Sequence, residues 1–152
     1  MVRHKILSII SSLLILLWTY ASLSKLLDYE QSRSEMQNQV FSMGFAQVLT
    51  WLVPLVELGT ALLLCFGRTL KTGLYISTVL LFSFTGYIIL VMTNVFGRIP
   101  CSCGGIIQQL NWNQHMVFNL VFLAIAVTGN SILKQTKTGQ NAESPATFNT
   151  PV

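Results

Sequence analysis

The chain has 152 residues, of which 52% are hydrophobic and 9% charged, with a mean hydropathy of +0.60. Charged residues make up roughly a quarter of an ordinary soluble domain, so this composition excludes one and points to a membrane protein of one domain. The formal charge of +4 comes from nine basic residues scattered singly between apolar runs, which leaves no patch or stripe for a nucleic acid.

The first apolar run, Ile6 to about Leu27, is bounded by Arg3, His4 and Lys5 on one side and by Lys25 and Asp28 on the other. About 20 helical residues cross a hydrocarbon core of roughly 30 Å, so this run predicts a spanning helix. A signal peptide is the rival reading, since the basic start and the small residues Ser22 and Ser24 are present, but the run is long for one. Residues 28–39 are polar and predict a first loop; Phe41 to Phe45 would dip back into the interface.

The second span is expected from about Gln47 to Phe66 and contains two residues unusual in such a place, Pro54 and Glu57. A tight turn over Gly67–Gly73 leads to a third span from about Leu74 to Val95, and a fourth runs from about His115 to Leu133. Lipid leaves helices and closed barrels as the only spanning structures, and unalternating runs of this length select helices. The expected fold is all-α, an integral membrane four-helix bundle over residues 1–133. From Lys134 to Val152 the composition turns to Gln, Thr, Asn, Ser, Pro and Gly, which predicts a disordered polar cytoplasmic tail.

Four spans put both termini on one side, with Arg3, Lys5, Arg68, Lys71, Lys134 and Lys137 there, six against Lys25, Arg33 and Arg98 opposite. By the positive-inside rule the termini face inward. The second loop, residues 96–114, then faces outward, into the periplasm in a bacterial inner membrane.

That loop carries Pro100-Cys101-Ser102-Cys103-Gly104-Gly105. Outside the cytosol two thiols one residue apart can form a disulfide. So small a ring fits disulfide geometry poorly, and strain of that kind raises the reduction potential and favours thiol exchange. A static staple is an alternative, and so is a soft-metal site for Cu(I), with Met92 and His115 as further ligands; zinc would need about four ligands, which the sequence does not obviously supply. The third cysteine, Cys65, falls near the inner end of the second span and reads as buried and inert.

Three further residues carry chemistry. Glu57 stands roughly 16 Å into its span by helical rise, where an ionisable group calls for a partner; Tyr87 and Asn119 are at comparable depth. Lys25 and Asp28 are three apart on one helical face, which suggests an interfacial ion pair, or a lysine that reaches over the bundle and favours a thiolate. His115 shares a face with Asn119, one turn after an interfacial Trp112, and reads as a satisfied interfacial histidine or a proton shuttle.

Ser24-Lys25-Leu26, Pro54 with Glu57-Leu58, Thr85 to Tyr87, the Pro100 to Gly105 segment, and Trp112 with His115 together resemble the MauE branch of the DoxX-like membrane proteins over residues 1 to about 133. The resemblance implies an inner-membrane protein linked to maturation of the methylamine dehydrogenase small subunit, whose disulfides form in the periplasm, with a thioredoxin-like partner. It makes Cys101 and Cys103 the redox pair of a thiol-disulfide oxidoreductase, supported by Lys25, Glu57 and His115. The one candidate cofactor is a quinone, and with one outward cysteine pair, relay to it would have to be direct or absent. The rival functions are a scaffold subunit that docks in an envelope complex and a small metal handler centred on Glu57.

Overall fold

The computed structural model describes residues 2–39, 42–95 and 112–142, with side chains at 113–135 in the last stretch. Cys101, Cys103, the Trp112 side chain and residues 143–152 lie outside the described residues. Those described form five helices: α1 (Val2–Leu27), α2 (Tyr29–Gln37), α3 (Met43–Cys65), α4 (Leu70–Met92) and α5 (Trp112–Ala142). No strand occurs among them. Four helices, α1, α3, α4 and α5, are long and apolar enough to cross a membrane. They pack in a ring, α1 on α3, α3 on α4, α4 on α5 and α5 back on α1.

The core of this ring is narrow. Leu14, Trp18, Leu64, Leu74, Leu81 and Ala126 are buried in it, while Leu16, Leu55 and Phe82 on the same helices are exposed. An outward apolar face is what lipid solvates, so association rests on close packing and on hydrogen bonds between helices. Three side chains tie the ring together by such bonds. Trp18 Nε1 donates to Ser77 Oγ at 2.9 Å. Ser22 Oγ donates to the Pro54 carbonyl at 2.9 Å. Asn130 Nδ2 reaches the Leu74 carbonyl at 3.1 Å and Thr78 Oγ1 at 2.9 Å.

Pro54 lies inside α3 and removes the N–H that would close the turn on Thr50. The bond from Ser22 joins α1 to the backbone at this interruption, the kind of neighbouring support that lets a spanning helix keep a proline. Beyond Cys65, Thr69 Oγ1 donates to the Leu63 carbonyl at 2.7 Å, satisfying one acceptor that a helix end leaves open. The turn is shorter than the sequence suggests, and α4 begins at Leu70. Its other end closes on Asn94, whose φ of 52° is left-handed, a conformation Asn tolerates at a helix terminus.

Two boundaries differ more substantially. Residues 29–37, expected as loop, form α2. Asp28 starts it by accepting from the Ser32 N–H at 2.9 Å, Gln31 bonds Glu35 one turn on at 3.2 Å, and Tyr29 packs on Trp51 of α3 with ring centroids 5.0 Å apart. At the far end α5 runs past Leu133 to Ala142. No proline occurs between Leu133 and Pro145, so nothing in the intervening sequence obliges the helix to stop.

Candidate functional site: a largely apolar cavity with a buried ion pair

A cavity of about 360 Å³ opens between the four long helices at the end covered by α2. Four elements reach it from that end, through Lys25 near the last turn of α1, Met36 and Gln39 at the end of α2, Tyr87 in the last two turns of α4 and His115 in the first turns of α5, while Glu57 enters from the middle of α3. Met92 and Trp112, which bound the segment carrying Cys101 and Cys103, belong to the same helix ends. The walls are largely apolar, with Leu17, Trp18, Leu81, Phe84, Ile88 and Phe118 among them.

Glu57 is the most deeply set charge, 2% exposed. Its partner is Lys25, whose ammonium lies 3.0 Å from Oε1 and 3.1 Å from Oε2. The lysine also donates to the Ala21 carbonyl at 3.1 Å, so its three N–H groups all have acceptors. This corrects the reading that paired Lys25 with Asp28. Side chains on a helix lean toward its N-terminus, and Lys25 folds back along α1 toward Ala21, into the bundle and away from Asp28. The two charges offset each other, and a buried pair of this kind persists when the remaining hydrogen bonds are also made.

Tyr87 and Asn119, the other candidates for Glu57, have different surroundings. The Tyr87 hydroxyl donates to Gln39 Oε1, and Gln39, 1% exposed, donates in turn to the Glu35 carbonyl at 3.2 Å. This chain pins the end of α2 over the cavity. Asn119 and His115 share one face of α5, as their spacing predicts, and both line the cavity. Asn119 is 5% exposed. Its Nδ2 and the Nδ1 of His115 are buried without a hydrogen-bond partner among the described residues. One nitrogen of each side chain is thus left open toward the cavity.

Cys65 is exposed at the end of α3, and the expectation of a buried thiol is corrected. In a chain with lipid around it, position in an apolar run does not separate core from outer face. Gln39 and Trp18 are site residues the sequence did not single out. A glutamine closing a polar stretch carries no signal of burial, and Trp18 sits in an unbroken apolar run.

The structure thus gathers Lys25, Glu57 and His115 in one cavity, from helices far apart in sequence. No curated protein and no solved structure matches the chain. A family model does, that of the methylamine utilisation protein MauE, over residues 3–131. With four helices suited to cross a membrane and a match over most of its length, the chain belongs to the MauE family of membrane proteins.

Proposed function

We propose that the protein is a thiol-disulfide redox component of the bacterial inner membrane, supporting disulfide formation in a periplasmic or envelope protein. The match to the methylamine utilisation protein MauE supports this reading, in which the protein assists maturation of a methylamine dehydrogenase-type target. The observation that carries this reading is the convergence of Lys25, Glu57 and His115 on one cavity, at the helix ends that bound the Cys101-Ser102-Cys103 segment. The charge asymmetry along the sequence supports an outward placement of that segment, and an oxidising compartment supports a disulfide there.

The reaction is an exchange. A thiolate of a partner dithiol, of the thioredoxin-like class, attacks the Cys101–Cys103 disulfide and forms a mixed disulfide. The partner's second thiolate then displaces the cysteine. Two electrons pass to the Cys101 and Cys103 pair, which takes up two protons, and the partner leaves oxidised.

The test is the reduction potential of the pair in native membranes, read by mass-tag alkylation after equilibration in thiol buffers. A reversible pair well above about −300 mV, below which structural disulfides usually lie, supports exchange. A pair that stays locked, or a Cys101→Ser/Cys103→Ser protein that inserts and keeps full function, overturns it.

A further inference from the structure

We infer that the cavity under α2 is a binding site for a lipid-soluble quinone, held by hydrogen bonds from α5. This rests on the preceding section only in the use made of the ligand; the site itself stands on the geometry of the described residues.

A cavity of about 360 Å³ is within the range of small-molecule sites, commonly about 300–1,000 Å³ with mostly apolar walls and a few polar groups. Water is a poor occupant. An internal water makes about three hydrogen bonds, and most polar atoms here are already engaged: Lys25 with Glu57 and Ala21, Tyr87 with Gln39. Two buried atoms of the cavity lining are left unpartnered among the described residues, Asn119 Nδ2 and His115 Nδ1.

An amide nitrogen can only donate, so the occupant has to bring an acceptor. Its body has to be apolar, and the aromatic walls, Trp18, Phe84 and Phe118, favour a flat ring. A benzoquinone or naphthoquinone head meets these three demands, with its carbonyl oxygens facing Asn119 Nδ2 and His115 Nδ1, the imidazole then carrying its proton on Nδ1. Access is available on the α3 side, where Phe45 lines the cavity and is itself 52% exposed.

The same ligand supplies what thiol exchange lacks. After oxidising its partner, the Cys101 and Cys103 pair is a dithiol. Passing two electrons and two protons to a quinone yields the disulfide and the hydroquinone, with atoms and charge balanced, and readies the protein for another turn.

Trp18 lines the cavity and provides an optical reading, because quinones quench indole fluorescence. The full chain carrying Trp51→Phe and Trp112→Phe, in lipid nanodiscs, is titrated with a decyl-substituted benzoquinone. Saturable quenching is expected, with apparent affinity about tenfold weaker in Asn119→Leu, a change of about 1.4 kcal/mol. His115→Leu provides a second variant with the same expectation. Decylbenzene, which fills apolar space without carbonyls, should not displace the quinone at equal concentration. Binding should persist in Cys101→Ser/Cys103→Ser. Quenching that rises linearly without saturation, equal affinity in both α5 variants, displacement by decylbenzene, or loss of binding in the double cysteine variant overturns the inference. Because the titration needs no turnover, quinone binding beside an inert cysteine pair would refute thiol exchange alone, and an exchanging pair without binding would refute the quinone site alone.

Discussion

The Lys25 ammonium sits 3.0 Å from one carboxylate oxygen of Glu57 and 3.1 Å from the other, joining the end of α1 to the middle of α3. The two residues are 32 apart in sequence, and their contact makes one neutral unit of the two charged side chains that line the cavity among the described residues.

The two partners are not equivalent. Removing one member of a buried pair costs about 3–5 kcal/mol, chiefly because the other charge is left unpaired. Glu57 is 2% exposed and Lys25 17%. A lysine deprived of its carboxylate can extend its stem toward the membrane surface, whereas Glu57 has no such route. Lys25→Met is therefore expected to lower stability by the full range, Glu57→Leu by less, and the double variant by less than Lys25→Met alone. Thermal unfolding of the four proteins in one detergent closes the cycle; simply additive effects would show that the contact is not an energetic unit.

Helix approach at Gly73 makes a second expectation. A Cβ there would lie 3.0 Å from the backbone nitrogen of Leu64, which cannot move aside, as well as from two atoms of the Leu64 side chain. Gly73→Ala should cost about 1–3 kcal/mol, the range for overpacking a tight contact. At Gly86 a Cβ meets nothing within 4 Å. Gly86→Ala should stabilise by about 0.5–1 kcal/mol through helix propensity. Opposite shifts in melting temperature from the same chemical change would confirm that α3 and α4 are held at backbone distance near Gly73.

The spans were legible because about 20 apolar residues leave few other structures, and the shared face of His115 and Asn119 followed from helical spacing. What the sequence hid follows from the same physics. Neither face of a spanning helix needs polar residues, so Cys65 on the outside and Trp18 in the core sit in equally apolar runs. The polarity of residues 29–37 concealed α2, whose position depends on tertiary contacts: Tyr29 against Trp51, and Gln39 with Tyr87. Pairing Lys25 with Asp28 failed because neighbours along one helix are visible in sequence, while a carboxylate on another helix is not.

Asn130 offers a measure of interhelical hydrogen bonding. Its Nδ2 lies 2.9 Å from Thr78 Oγ1 and 3.1 Å from the Leu74 carbonyl. Such bonds in membrane bundles average about 0.6 kcal/mol and reach about 1.7. Because Asn130 serves two acceptors on α4, Asn130→Leu should fall toward the upper part of that range. Thr78→Val, which removes one acceptor and leaves Leu74 available, should cost less. Equal losses in the two variants would assign the stabilisation to the threonine bond alone.

Orientation is the expectation on which the chemistry most depends. The turn at Arg68 lies at the end of α3 and the start of α4, the opposite ends of those helices from the cavity. With the termini inside, a single cysteine introduced as Arg68→Cys, in a chain otherwise free of cysteine, should react with a membrane-impermeant maleimide only after the membrane is opened. Cys101 as the sole cysteine should react in intact spheroplasts. The basic residues make this the favoured arrangement because short cytoplasmic segments retain Lys and Arg. Reversed labelling of both sites would put Cys101 in a compartment where thiols are kept reduced, and would remove the ground for disulfide exchange while leaving the Lys25–Glu57 pair and the cavity as they stand.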